Sequence, residues 1–313
     1  MFRTLFLIAV ALPFALYAQD TGWPRDIAHD TGELTLEQAP QRIVSTSPSL
    51  TGILLAIDAP LVATAATAVG PLTDDKGFFH QWAQAADAQG VAVLYPNLQF
   101  DIEALIGATP DLVVASSTGG DSGLDYMAEL DALGIPAIAL NYADQSWPEM
   151  ARMLGRATGR EQQAEEAIAS FAAYSSDATA RIAVPKGGAS IVGYDIGGSW
   201  SIGKSDSPQA EILTALGFTV EPLPENLRGA VTRSSDFDFI SRENLSAAIT
   251  GETVFLLAGD ERDVAAFMAD PVLANHPAVL SGRVYPLGKS SFRIDPYSGR
   301  QMIDTVLEHL PTQ

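Results

Sequence analysis

Cysteine is absent from the 313-residue chain. That excludes disulfides, thiolate zinc sites and a cysteine-borne lipid anchor, and it leaves stability to the apolar core. Basic residues are scarce: 18 Lys and Arg stand against 38 Asp and Glu, a formal charge of −20. A field of that sign disfavours nucleic acid and anionic membrane surfaces. An anionic ligand is still admissible, because a few arginines lining a cleft outweigh distant, solvent-screened acids. The four histidines (His29, His80, His276, His309) are scattered without an HExxH, and neither GxGxxG nor a P-loop occurs. Metal-hydrolase and nucleotide-binding readings have no motif to stand on.

Long apolar runs are missing too, except at the N-terminus. "MFRTLFLIAVALPFALYAQD" has Arg3, an apolar stretch from Leu5 to Leu16 and the small Ala18, so residues 1–18 read as a cleavable signal peptide. The stretch is shorter than the roughly 20 apolar residues that span a bilayer. The expectation is an exported protein of the periplasm, without a lipid anchor.

What is present describes a globular chain. Apolar residues make up 47% and charged residues 18%, enough for a substantial core. The length exceeds one typical domain. "RIVST" (42–46), "LVATAA" (61–66) and the strand halves of "FDIEALIGATPDLVVAS" and "LDYMAELDALGIPAIALN" alternate with helical stretches, which predicts a parallel sheet covered on both faces. "SWPEMARMLGRATG" opens on a capping box, Ser146 with Glu149. From Glu161 to Ile182 apolar and small residues recur every three or four positions without Gly or Pro, predicting one long helix. Strand–helix alternation resumes at "ASIVGY" (189–194) and runs to a last helix near Tyr297–Leu310.

The predicted fold is therefore α/β: two Rossmann-like lobes joined by a single long rigid helix. The first lobe covers 19–145, the connecting helical segment 146–184 with its helix at about 161–182, and the second lobe 185–313.

A half-hidden repeat links the lobes. Asp101 and Ser241 are each followed two positions later by a glutamate, Glu103 and Glu243, and then by Leu105 and Leu245. Either both glutamates favour the positive end of a helix dipole, or they are paired surface anions, one per lobe, presented to a two-fold partner. "GDSG" (120–123) resembles a nucleophile sequence, which would make Ser122 the nucleophile of a secreted α/β hydrolase. As a Gly-rich strand-to-helix turn it needs no catalytic explanation.

Open α/β sheets bind ligands in the loops after their strands. Those loops include "SSTGGDSG" (116–123), "NYADQSW" (141–147), "DIGGSWSIG" (195–203), "AVTRSSDF" (230–237) and "KSSFRIDPYSG" (289–299). They carry Trp200, Arg233, Phe292 and Arg293. An exposed tryptophan offers a stacking face, and arginine both stacks on rings and pairs with oxygen anions. Together they suit a large, flat, aromatic anion.

"RIVSTSPSLTGILLAIDAPLVATAAT", "DDKGFFHQWA", "SSTGGDSGL", "NYADQSW", "FLLAGDERD" and "SSFRIDPYS" closely resemble the periplasmic binding proteins for ferric enterobactin and related catecholate siderophores. These belong to the substrate-binding proteins that feed ABC importers of iron–siderophore complexes and vitamin B12. The resemblance covers essentially the whole chain after the signal peptide. It implies two α/β lobes on a rigid helix, a soluble monomer that catalyses nothing, and no cofactor or direct metal ligand, since the siderophore already coordinates the iron. It places Trp200, Arg233, Phe292 and Arg293 around the ligand. It gives Glu103 and Glu243 to docking on arginines of the paired permease subunits, which work with an ATPase. Where near relatives have an arginine before "DD", this chain reads "VGPLTDD", with Leu72 in that stretch. Receptors for haem, a hydroxamate siderophore or a corrinoid are the alternatives in the same group.

Overall fold

A computed structural model describes residues 22–143, 145–230, 232–233 and 236–312; the expected signal peptide lies outside these. The chain opens with an antiparallel hairpin, β1 (Arg25–His29) and β2 (Gly32–Leu36), where only an irregular lead was expected. It continues through β3 (Ile43–Ser45), α1 (Pro48–Ala56), β4 (Leu61–Thr64), α2 (His80–Ala88), β5 (Ala92–Val93), α3 (Ile102–Ala108), β6 (Leu112–Ser116), α4 (Met127–Ala132) and β7 (Ala137–Leu140). Strands β3 to β7 form one parallel sheet in the order β5-β4-β3-β6-β7. Every residue of β3, β6 and β7 is buried, the near-continuous apolar pattern of strands covered on both faces. The strand order reverses between β3 and β6, so the loops leaving them part and open a crevice.

The predicted capping box starts α5 (Trp147–Thr158): the Glu149 carboxylate accepts from Ser146 N at 2.9 Å and from its Oγ at 2.8 Å. The connecting helix α6 spans Glu161–Thr179, 19 residues, or about 28 Å. It stops three residues short of the expected Ile182. There Ile182 pairs with Pro311, and Thr312 N donates to Arg181 O, so the C-terminus captures the helix end as a β-bridge.

The second lobe comprises β8 (Ala189–Ile196), β9 (Ser199–Gly203), α7 (Pro208–Ala215), β10 (Thr232–Arg233), β11 (Phe237–Ile240), α8 (Leu245–Ala248), β12 (Thr253–Leu256), α9 (Glu261–Ala269), α10 (Pro277–Leu280), β13 (Val284–Pro286) and α11 (Pro296–His309). Its sheet runs β10-β11-β9-β8-β12-β13. The β8, β12 and β13 strands are parallel, as expected, but β8–β9, β9–β11 and β11–β10 are antiparallel. The segment 195–203 is thus largely strand where a loop was expected, and 230–237 contributes Thr232, Arg233 and Phe237 to strands. The physical reason is Gly197 and Gly198, whose φ values of 59° and 82° reverse the chain in two residues, so no helical crossover is needed.

The last helix ties the lobes together. Helix α11 packs on α6 and also on α1 and α2 of the first lobe, and Ile294 and Phe171 touch the cores of both lobes. Its N-cap, Asp295, is buried and accepts from Tyr297 N and Ser298 N at 2.8 Å each. Burial pushes this carboxyl up to about 6. Gly52 of α1 faces it so closely that a Cβ there would lie 2.4 Å from Asp295 Oδ2.

Candidate ligand-binding cleft

Arg293 lies between a 3₁₀ turn (Lys289–Phe292) and the N-cap of α11, in extended backbone with φ −128° and ψ 127°. The residue before Pro296 is Asp295, which the proline keeps out of the α region and which caps the helix with φ −131° and ψ 178°. Ile294 enters the joint between the two cores, and Arg293 points into the space between the lobes, where it lines a cavity with Ser49, Tyr142, Gln145, Gln209 and Phe292.

Its guanidinium sits between two rings, with Cζ 4.7 Å from the Tyr142 centroid and 5.1 Å from that of Phe292. Arg293 Nη2 donates to Tyr142 Oη at 3.3 Å, and that hydroxyl donates to Asp121 Oδ1 at 2.9 Å. Asp121 Oδ2 accepts from Ser47 Oγ at 2.6 Å and Ser49 N at 3.2 Å. The chain of bonds runs from the second lobe into the loops after β3, β6 and β7 of the first. Burial pushes the Tyr142 hydroxyl up to about 12; Arg293 opposes that rise and Asp121 adds to it. Tyr142 therefore stays a neutral donor. Among the described residues Arg293 has no carboxylate within 4 Å, in a chain of net charge −20.

A smaller recess on the far side of Phe292 and Arg293 is lined by Leu72, Phe79, Gln81, Lys289 and Ser290. Leu72 and Arg293 thus line the same recess, where the first lobe presents an apolar side chain. Lys289 adds a second cation, held by Asp263 at 2.5 Å and Asp260 at 3.4 Å.

Of the residues expected at the site, Phe292 and Arg293 come together in one cavity. Trp200 is placed otherwise than expected: it is a half-buried strand residue on β9, paired with Ile240 and packed against the second-lobe core, and not an exposed loop tryptophan. Its Nε1 is enclosed and makes no hydrogen bond to the described residues. Arg233 pairs with Asp238 at the outer edge of the same sheet, and its side chain is outside the described residues. Tyr142, Asp121 and Lys289 are the functional residues that sequence reasoning missed. The available signal was an aromatic directly after β7, at the point where loops face a crevice.

Glu103 and Glu243 are both exposed. Glu103 lies in the first turn of α3, whose N-cap Asp101 accepts from Ala104 N at 2.9 Å. Glu243 sits in a single 3₁₀ turn, Arg242–Asn244, that leads into the four-residue α8, so the repeat is looser than its sequence spacing implied. A hydrogen bond from Ser241 holds the Glu243 carboxyl below the usual range. Arg242 beside it donates to both oxygens of the buried Asp270 at 2.9 Å.

Ser122 has no histidine beside it. Its Oγ accepts only a long bond, 3.4 Å, from Leu124 N, and no histidine lines the adjoining cavity. Among the described residues no cluster of His, Asp and Glu is arranged to hold a metal ion, and no helix is long and apolar enough to cross a membrane.

The geometry has known counterparts. The periplasmic binding protein family matches residues 43–290. The ferric enterobactin-binding periplasmic protein FepB of Escherichia coli O6:H1 strain CFT073 is 40% identical over 306 residues, 96% of each chain. The crystal structure of holo-ViuP superposes with a TM-score of 0.84 at 36% identity, covering 93% of this chain and 96% of that one. The FhuD protein from S. pseudintermedius, at 19% identity and a TM-score of 0.67 over 92% of this chain and 99% of its own, shares the fold. Two α/β lobes on one connecting helix, a cleft at the strand ends and a match over most of its length make this chain a member of the periplasmic binding protein family.

Proposed function

We propose that the protein captures a ferric catecholate siderophore of the enterobactin type in the interlobe cleft and delivers it to an inner-membrane ABC importer. It works as a soluble periplasmic monomer and catalyses no reaction. The observation that carries this is Arg293: a guanidinium between two aromatic rings, with no carboxylate partner among the described residues. A ferric tris-catecholate is both aromatic and anionic, and arginine answers both properties. The named specificity of FepB, at 40% identity, supports the same ligand class. Arg233 and Trp200 lie on β10 and β9 of the second lobe. With Leu72 on the first lobe, neutralising the ligand falls to second-lobe cations. The iron arrives already coordinated and is cargo.

Quenching of intrinsic tryptophan fluorescence tests this, with ferric enterobactin, a ferric hydroxamate and haem titrated in parallel. Saturation by the catecholate alone is expected; saturation by one of the others instead would replace the substrate. Arg293→Ala removes charge-assisted bonds of roughly 1.5–3 kcal/mol each, so binding should weaken about 10- to 100-fold. An unchanged midpoint would remove Arg293 from the site.

Gly119 gives a subtler test. Its φ is 78°, and a Cβ there would fall 1.8 Å from Tyr142 Oη. Gly119→Ala should push Tyr142 off Asp121 and unseat Arg293, lowering affinity roughly tenfold, and the strain of alanine at this φ should also lower stability by about 1–2 kcal/mol. Parent-like affinity would show that the Tyr142 platform is dispensable.

A further inference from the structure

A groove of about 630 Å³ lies apart from the cleft and shares no lining residue with it. It runs where the N-terminal hairpin meets β7, the edge strand of the first sheet. There Asp30 N donates to Ala139 O at 2.9 Å, and Ala139 N donates to His29 Nδ1 at 3.4 Å. The lining comes from the hairpin, from α4 with the 3₁₀ turn before it (Leu124–Tyr126), and from residues 134–137 on the approach to β7.

Much of this surface is apolar. Leu34, Met127 and Ile135 pack on the cores of the first lobe and also line the groove, and the exposed Leu124 extends them. Small-molecule pockets run from about 300 to 1,000 Å³ and are mostly apolar, with a few polar groups that fix orientation. The charged groups here are of one sign. Glu33 and Asp131 line the groove, both exposed and both without an ion pair among the described residues. Segments 29–34 and 124–137 also hold Asp30, Asp125 and Glu129, and they contain no Lys or Arg. Arg25, on the same hairpin, is committed to Glu161. Burial lowers the His29 pKa from its ordinary value, so at neutral pH that ring adds no positive charge. An anion is therefore repelled. A bare metal ion needs several converging oxygens, and no cluster of His, Asp and Glu among the described residues supplies them. An organic cation complements both properties: its apolar body takes the place of water on the leucines, Met127 and Ile135, and its charge answers the carboxylates.

We propose that this groove is a second binding site, for a small amphipathic cation: an ammonium or guanidinium carried on an apolar ring or chain. Glu33 and Asp131 meet the charge, and Leu34, Leu124, Met127 and Ile135 take the apolar body. The site is independent of what fills the cleft. Ligand-observed NMR on the full protein at neutral pH and about 150 mM salt tests it with four probes. Tryptamine has both the charge and the ring, tryptophol is its neutral counterpart, indole-3-propionate its anionic one, and ethylamine has the charge without the ring. Tryptamine should saturate with Kd on the order of 1 mM. The other three should bind at least about fivefold more weakly, two for want of the cation and ethylamine for want of the apolar body. Glu33→Gln with Asp131→Asn should weaken tryptamine about 3- to 10-fold and bring it level with tryptophol. Ala128 is an exposed residue of α4 that lines the groove. Ala128→Arg fills the site with a competing cation and should abolish tryptamine binding, while the melting temperature stays at the parent value because arginine is a good helix former. Ferric-siderophore affinity of that variant should also be unchanged. No saturation by tryptamine at about 10 mM, or indole-3-propionate binding as tightly, would overturn the site. Ethylamine as tight as tryptamine, or parent-like binding in Ala128→Arg, would overturn it too, reducing the effect to diffuse attraction by the net charge. Loss of ferric-siderophore binding in Ala128→Arg would overturn the independence of groove and cleft.

Discussion

Uptake of the ferric ligand is expected to fall to background when Glu103→Ala and Glu243→Ala are combined, while ligand affinity stays at the parent value. Exposed carboxylates are plentiful on a chain with 38 Asp and Glu, so exposure alone singles out none of them. These two are distinguished by their settings. Each follows a capping residue at the start of a helical turn, one per lobe, at corresponding points of a repeated pattern. The second is also anchored: Arg242 is fixed to buried Asp270, which takes further bonds from Tyr194 Oη at 2.8 Å and Val272 N at 3.0 Å. Burial alone would raise the Asp270 carboxyl, but the bonds from Val272 N, Arg242 and Tyr194 hold it below the usual range. A rigid turn keeps its glutamate pre-positioned, which lowers the ordering cost of docking. Transport of labelled ferric siderophore by cells, set beside fluorescence titration of the purified variant, separates the two roles. Persisting uptake would end the docking assignment, and lost affinity would move the glutamates into the cleft.

The second large effect concerns Asp295. A carboxyl whose folded pKa is about 6, against an ordinary 3.8, holds its proton more tightly in the folded protein. Between about pH 4 and pH 6 the folded state thus carries more protons than the unfolded chain, so this group's contribution falls as pH rises through that window. Above it, the burial of the charge costs on the order of 3 kcal/mol. Asparagine is an equally good N-cap and still accepts from Tyr297 N and Ser298 N, and Gln81, whose Nε2 lies 3.5 Å from Asp295 Oδ2, can turn its carbonyl to the new amide. Asp295→Asn should therefore be more stable than the parent at pH 7.5, by up to about 3 kcal/mol, and equal to it near pH 4. Comparing the two proteins by urea unfolding at both pH values cancels the shared titrations of His29 and His309. A difference that does not change with pH would mean that Asp295 has the same pKa folded and unfolded, so that burial of its charge costs nothing.

The parts of the fold legible in the sequence are those in which local pattern and tertiary role coincide. Buried β3, β6 and β7 are apolar runs, α6 has its three-and-four spacing, and Ser146 and Glu149 cap α5 as their separation requires. The antiparallel half of the second sheet was hidden, because "DIGGSWSIG" has the composition of a loop and becomes a hairpin only through Gly197 and Gly198. Trp200 changed character with it, from a free ring to a strand residue braced by the core. At the cleft, Arg293 and Phe292 were readable as an arginine beside an aromatic. The platform beneath Arg293 was not, since Tyr142 lies 151 positions away and reaches it only when the lobes meet. Leu72 was noticed as a substitution in a pattern; that it shares a recess with Arg293 is a fact of folding.

Helix α6 crosses between the lobes once, and α11 rivets them again where it lies on α1, α2 and α6. A frame braced at two places has little slack to wind up. Energy gained on seizing a ligand cannot be banked in a bent joint and returned later to eject it. On the function proposed above, the work of prising the cargo loose falls to the importer and not to a strained joint of this chain.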